Sequence, residues 1–400
     1  MPVTMPLSRR GFLGLFGERH SAPSAGAFLT ARGLEAHLAA QQFGRDGRPL
    51  GPPGPGEVRI SSNENPLGPG KTALDAILGK FPEAGRYPFT STPLDTDLVA
   101  AIAKKYGTKP ENVVMGAGSQ ELLRNAVLEF TSPERALTTA SPTFENPTTL
   151  AKKLGHAVRE VAVDSGLKLD LEPMIVAANG AGLVFFNNPN NPTATVHGAK
   201  TVADFVERVR TTSPDTVILI DEAYHDYVTD PSYQTAIPLA LATPNVFVTR
   251  TFSKAYGMAG LRIGYAVGQA DTIKRLTKRK MPYNVSTFGV AAAIASLNDP
   301  KHIDEERARN TEVRAYTMKA LEDLGCKPSD SQANFLFVNI HRTAKEFREA
   351  CAKSSVMVGR DFPPFEKTHA RISIGTLEEM QKATEVFRNV LRPATAPAGR

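Results

Sequence analysis

Between residues 112 and 268 the chain repeats one pattern: a short apolar run of strand length, then a stretch with helical spacing. The runs cover residues 113–115, 136–139, 158–163, 183–186, 217–220, 246–249 and 263–267. Some, such as Leu183-Val-Phe-Phe186 and Val217-Ile-Leu-Ile220, are continuously apolar. A strand with one wet face alternates, whereas an unbroken apolar strand is covered on both faces, which favours a mostly parallel sheet between helices. The intervening residues 120–130 and 200–210 carry apolar side chains three and four apart, as amphipathic helices do. The fold class expected is therefore α/β, with a large doubly wound domain over residues 85–295 built on a mostly parallel seven-stranded sheet. Ligands in such sheets bind beyond the carboxyl ends of the strands. The residues that follow each run are thus the candidates for chemistry.

Four hundred residues exceed one ordinary core, so a second domain is expected. After residue 295 the texture changes to a long charged amphipathic stretch, 302–324. The segments Asn334-Phe-Leu-Phe-Val-Asn339, Ser355-Val-Met-Val-Gly359 and Ala370-Arg-Ile-Ser-Ile-Gly375 follow it. These read as a smaller α+β domain made of residues 57–84 and 296–400. Residues 45–56 are dense in Gly and Pro and read as a linker. Ahead of them, Ser8-Arg9-Arg10-Gly11-Phe12-Leu13 matches the twin-arginine export pattern, but its apolar run stops at Glu18, Arg19 and His20. Residues 1–56 are read as a targeting-like segment plus linker, cytoplasmic location being favoured over periplasmic export. No apolar run reaches the roughly 18 residues of a membrane span. Two cysteines exclude both a disulfide scaffold and a CxxC zinc site. The basic cluster Lys274, Arg275, Lys278, Arg279, Lys280 has no nucleic-acid motif beside it and reads as a solvated helix face.

The candidates cluster at the run ends. Asp221 closes the run 217–220, where a carboxylate can meet a cationic ring nitrogen, and Tyr224 follows three residues later. Thr251, Ser253, Lys254, Gly257, Gly260 and Arg262 follow the next run. Hydroxyls, open N–H groups and a guanidinium suit a phosphate, and a lysine among them could form a Schiff base with an aldehyde cofactor. Asn187-Asn-Pro-Asn-Asn191-Pro-Thr193 offers amide donors for a phenolate oxygen. Gly118, Ser119 and Gln120 open a helix as an anion cradle, and Phe144 could stack on a flat ring. Arg371 lies in an apolar run, where a guanidinium needs an anionic partner such as a substrate carboxylate.

These residues, in this order, resemble fold-type I pyridoxal-phosphate enzymes, specifically class I/II aminotransferases close to histidinol-phosphate aminotransferase. The similarity runs from Ser62-Asn-Glu-Asn-Pro-Leu-Gly68 to Arg371-Ile-Ser-Ile-Gly-Thr376 and is densest in Asp221-Glu-Ala-Tyr224 and Thr251-Phe-Ser-Lys-Ala-Tyr-Gly-Met-Ala-Gly-Leu-Arg-Ile-Gly264. The resemblance implies pyridoxal 5'-phosphate as cofactor and amino transfer from an amino acid, or an amino-alcohol phosphate such as histidinol phosphate, to a 2-oxo acid. It implies that Lys254 forms the internal aldimine and carries the proton at Cα, and that Asp221 keeps the ring nitrogen protonated. Asn191 and Tyr224 would contact the ring oxygen, Asn191 lying on the substrate side as well, while Phe144 stacks on the ring. Gly118, Ser119, Gln120, Thr251, Ser253 and Arg262 would hold the phosphate. Arg371 would grip the substrate carboxylate and Arg360 the distal group. Tyr87, in Arg86-Tyr87-Pro88, matches a tyrosine reaching a partner's phosphate, which implies a homodimer with shared sites. The alternative on the same fold is a decarboxylase or lyase. Departures from the family pattern are Ala194 for a glycine, Ala117 and Gln120 for Asn and Asp, and no tyrosine between residues 21 and 66.

Overall fold

A computed structural model describes residues 54, 56–87 and 96–392. The twin-arginine pattern and nearly all of the Gly/Pro linker lie outside the described residues. Strand β1 is Val58–Ile60; the seven apolar runs then form β2 Val113–Ala117, β3 Leu137–Ser141, β4 Val158–Ala162, β5 Leu183–Asn187, β6 Val217–Asp221, β7 Val246–Thr251 and β8 Ile263–Gly268. They make one 7-stranded sheet in the order β2-β8-β7-β6-β5-β3-β4. Strands β3 to β7 pair in parallel, and β8 alone runs against both of its neighbours.

Every residue of β5, β6 and β7 is buried, because alternate side chains enter two different cores. Leu183, Phe185, Val217 and Leu219 meet Leu122, Leu123, Ala126 and Phe130 of the helix Ser119–Phe130. Val184, Phe186, Ile218 and Ile220 meet Val202, Phe205, Val206 and Val209 of the helix Ala199–Thr212. Each large side chain so buried contributes about 1.5–3 kcal/mol. The edge strand β4, Val-Arg-Glu-Val-Ala, has water on one flank and is correspondingly polar. The fold is α/β as expected.

The smaller body has an antiparallel sheet of β9 Lys327–Pro328, β10 Phe335–Asn339 and β12 His369–Ser373, with β10 central. A parallel pair joins β1 to β11 Val356–Val358. The helices Pro300–Glu322, Ala344–Ala352 and Leu377–Leu391 cover a core that includes Val313, Leu336, Phe347 and Phe387. Thr376 and Glu379 form a capping box that starts the last helix. Of the segment before residue 85, Val58 and Ile60 join this core, whereas Ala73 of the helix Lys71–Gly79 joins the core of the larger body. Cys326 and Cys351 are free and buried. Among the described residues no helix is long and apolar enough to cross a membrane.

Candidate active site

A cavity of about 220 Å³ opens over the carboxyl ends of β5, β6 and β7. Its lining brings together Ser119, Gln120, Phe144, Asn191, Asp221, Tyr224, Thr251, Ser253, Lys254, Arg262 and Arg371 from widely separated stretches of chain. The parallel strands explain most of this, since their carboxyl ends share one rim. Arg262 arrives differently. It precedes β8, and because β8 is reversed its beginning lies on the rim where the other strands finish.

At the centre of the rim, Asp221 is 3% exposed and accepts a hydrogen bond from Thr249 Oγ1 at 2.9 Å. Burial pushes its carboxyl up to about 7, against the Thr249 hydroxyl, which pulls down; the neighbouring Glu222 carboxylate pushes further up, while Lys254 and the Ala223 N–H oppose it. A buried acid so raised favours a cation beside it. Lys254 Nζ lies 5.4 Å above the Tyr224 ring and donates to the Asn63 carbonyl at 3.2 Å.

At one end of the cavity the helix Ser119–Phe130 begins with no side-chain cap, leaving its first N–H groups open. Gly118 precedes it at φ 72°, and a Cβ there would collide with the Arg262 guanidinium. Arg262 Nη1 donates to Ser253 Oγ at 3.3 Å, and Thr251 Oγ1 donates to Ser253 Oγ at 3.0 Å. Open N–H groups, two hydroxyls and a guanidinium around one point form an anion cup.

Across the cavity Arg371 is buried in β12, where Nη1 donates to Asn191 Oδ1 at 3.0 Å and Nη2 to the Ser61 carbonyl at 2.7 Å. Asn191 Nδ2 donates to Tyr224 Oη at 3.4 Å. Arg360 is not part of the lining. It is ion-paired with Glu145, and its guanidinium lies 4.2 Å from the Phe362 ring, which Arg371 also approaches at 4.7 Å. Tyr87 is 81% exposed, outside the cavity of its own chain, with its ring 5.6 Å from that of Tyr283. Ala194 takes the left-handed conformation at φ 63° without help from a glycine, its N–H donating to the Asn190 carbonyl at 2.7 Å.

Three residues of the site have roles that the sequence does not show. Thr249 points back at Asp221 from the neighbouring strand, a pairing that only register reveals. Ser61 gives Arg371 its carbonyl. Asn63 is 1% exposed and touches Tyr224, Lys254 and Ser373 at once. Its stretch is legible as a motif, but nothing in the sequence gives it a chemical task.

Residues 55–387 match the family described as aminotransferase class I and II. The chain belongs to that family. It is 34% identical over 337 residues to the histidinol-phosphate aminotransferase of Moorella thermoacetica, covering 84% of this chain and 85% of that one. It is 35% identical over 334 residues to histidinol-phosphate aminotransferase 2 of Bacillus cereus, covering 83% and 87%. Among solved structures, the Sinorhizobium meliloti histidinol-phosphate aminotransferase in complex with pyridoxal-5'-phosphate superposes with a TM-score of 0.76 at 27% identity, over 91% of this chain and 96% of that one. The L-threonine-O-3-phosphate decarboxylase of Porphyromonas gingivalis shares the fold alone, at 20% identity and a TM-score of 0.70, over 84% and 99%. The chain is therefore a pyridoxal-phosphate-dependent aminotransferase. The cavity of this aminotransferase fits that cofactor on its own chemistry. An anion cup of Ser119, Thr251, Ser253 and Arg262 and a buried, burial-raised carboxyl line the same cavity, matching a phosphate and a cationic ring nitrogen.

Proposed function

We propose that this aminotransferase works at the cavity over β5, β6 and β7, with Lys254 as the residue that holds the cofactor and moves the proton at the substrate Cα. The single observation that carries the reading is the convergence of Lys254, Asp221 and the Ser119–Thr251–Ser253–Arg262 cup on one cavity. When bound, pyridoxal phosphate supplies an electron sink for the charge developing at Cα. Asp221 pairs with the ring nitrogen and keeps it protonated, while Asn191 and Tyr224 contact the ring oxygen and Phe144 covers a ring face. Gly118, Ser119, Gln120, Thr251, Ser253 and Arg262 hold the phosphate. Arg371 fixes the anionic head of the substrate, which leaves the Cα–H bond as the one exposed to Lys254.

The donor proposed is an α-amino acid or an amino-alcohol phosphate of the histidinol phosphate kind, with a 2-oxo acid as acceptor. The relatives' names support this choice. Arg360, stacked on the ring that Arg371 also approaches, would serve the far end of the substrate. The active form proposed is a homodimer in which Tyr87 reaches the partner's phosphate cup. Leu74, Leu78, Phe81, Met281 and Tyr283 are exposed large apolar or aromatic side chains, and the Tyr283 ring lies against Tyr87, which supports an interface there. Cytoplasmic residence is proposed, twin-arginine export being the competing outcome. Residues 1–40 missing from protein isolated from its native host would decide for export.

Lys254→Ala is expected to remove both the visible absorbance of the purified protein and its turnover. A Lys254→Ala chain that still transaminates would sink the assignment. A spectrophotometric screen of amino acids and histidinol phosphate, read as bleaching of that absorbance in the half-reaction, identifies the donor.

A further inference from the structure

Tyr224 Oη is reached by two amide groups, Asn63 Nδ2 at 3.1 Å and Asn191 Nδ2 at 3.4 Å. Which end of each amide faces the phenol is set by its other partners. Arg371 can only donate, and it donates to Asn191 Oδ1, so the NH₂ of Asn191 is turned to Tyr224. Ser373 Oγ accepts from the Asn63 backbone N–H at 2.8 Å and donates to Asn63 Oδ1 at 2.6 Å, so the NH₂ of Asn63 is also turned to Tyr224. A phenol oxygen has two acceptor positions and one proton. With both acceptor positions filled by amides, its own proton is left for the cavity that Tyr224 lines.

We propose that Asn63 is a positioning residue of this site, locking Tyr224 as a one-way hydrogen-bond donor toward the cofactor's ring oxygen and tying that donor to the strand that carries Arg371. The inference rests on the reading that Tyr224 faces that oxygen. Asn63 sits at φ 52°, in the left-handed region that Asn tolerates better than most residues. Its side chain is buried and bonded at both its oxygen and its nitrogen, and its carbonyl accepts from Lys254 Nζ. Ser373 lies two residues after Arg371 on β12, so one short hydrogen-bonded chain joins the smaller body to the phenol.

The test is a pH titration of the visible spectrum of the cofactor-loaded full chain. Asn63→Gly keeps the left-handed backbone and the carbonyl under Lys254 while deleting the amide. Without the amide, Tyr224 can turn its proton away from the ring oxygen, whose ionised form is then less stabilised. The midpoint of the spectral transition is expected to rise by about one pH unit, the size of one charge-assisted hydrogen bond. In a Tyr224→Phe background the same substitution is expected to shift nothing, because its effect passes through the phenol. Ser373→Ala, which frees the Asn63 amide to rotate, should shift the midpoint the same way by less, and it keeps the question answerable if Asn63→Gly fails to fold. An unmoved midpoint in these variants, or an equal shift with and without the Tyr224 hydroxyl, overturns the role of Asn63 but leaves the site reading standing. A cofactor-saturated wild-type chain with no visible band overturns both.

Discussion

At the residue scale the most informative side chain is Asp221. Its unfolded form releases a proton near the ordinary carboxylate value, whereas burial holds the folded form protonated up to about 7. Below both values the two states bind the same proton and Asp221 is neutral to stability. As pH climbs from about 4 to about 7 the unfolded state ionises first, so the apoprotein loses stability across that window, by roughly 4 kcal/mol in all. Denaturant unfolding of the apoprotein at pH 4.5 and 7.5 should therefore show a fall that Asp221→Asn largely removes. Asp221→Asn should also bind cofactor yet lose most turnover, since an amide cannot keep the ring nitrogen protonated. Equal pH dependence in the two apoproteins would contradict the buried-acid account. Asp221 was legible because it ends an apolar run. The tasks of Thr249 and Asn63 were not, since each acquires its partner from a stretch far along the chain or across the sheet.

At the element scale, the strands were readable as short runs, most clearly β5 and β6, where burial on both faces leaves the run apolar up to its last residue. Their order and the reversal of β8 were not, since pairing is decided between segments rather than within them. Short pieces such as β1 and β9 carry too few residues for a period to register. The helix Ser119–Phe130 depends on its first junction. Gly118→Ala must force a side chain to φ 72° and push the Arg262 guanidinium aside. The expected cost is at least about tenfold in cofactor affinity, roughly 1.4 kcal/mol, measured by titrating apoprotein with pyridoxal phosphate. Unchanged affinity would mean the helix start is not the phosphate seat.

At the scale of the whole molecule, a site shared between two copies can be tested by mixing. A Tyr87→Ala chain and a Lys254→Ala chain should each turn over poorly as homodimers. Re-associated together, they should recover activity, because a hybrid holds one site with Lys254 from one copy and Tyr87 from the other. A mixture no more active than its components would argue that each chain completes its own site. The sequence showed Tyr87 only through family likeness; that it stands exposed against the exposed ring of Tyr283 comes from the fold.

The reversed strand has a mechanical consequence. Lys254 and Arg262 sit on the one segment, residues 252–262, that joins β7 to β8, two neighbouring strands paired side by side in the sheet. The two residues proposed to hold the ring end and the phosphate end of the cofactor therefore hang from one segment that is tied into the sheet at both its ends. Arg371 belongs to the other body, on β12. A parting of the two bodies would loosen the grip on whatever passes through in each turnover, while the cofactor stayed seated like a tool bolted to the bench.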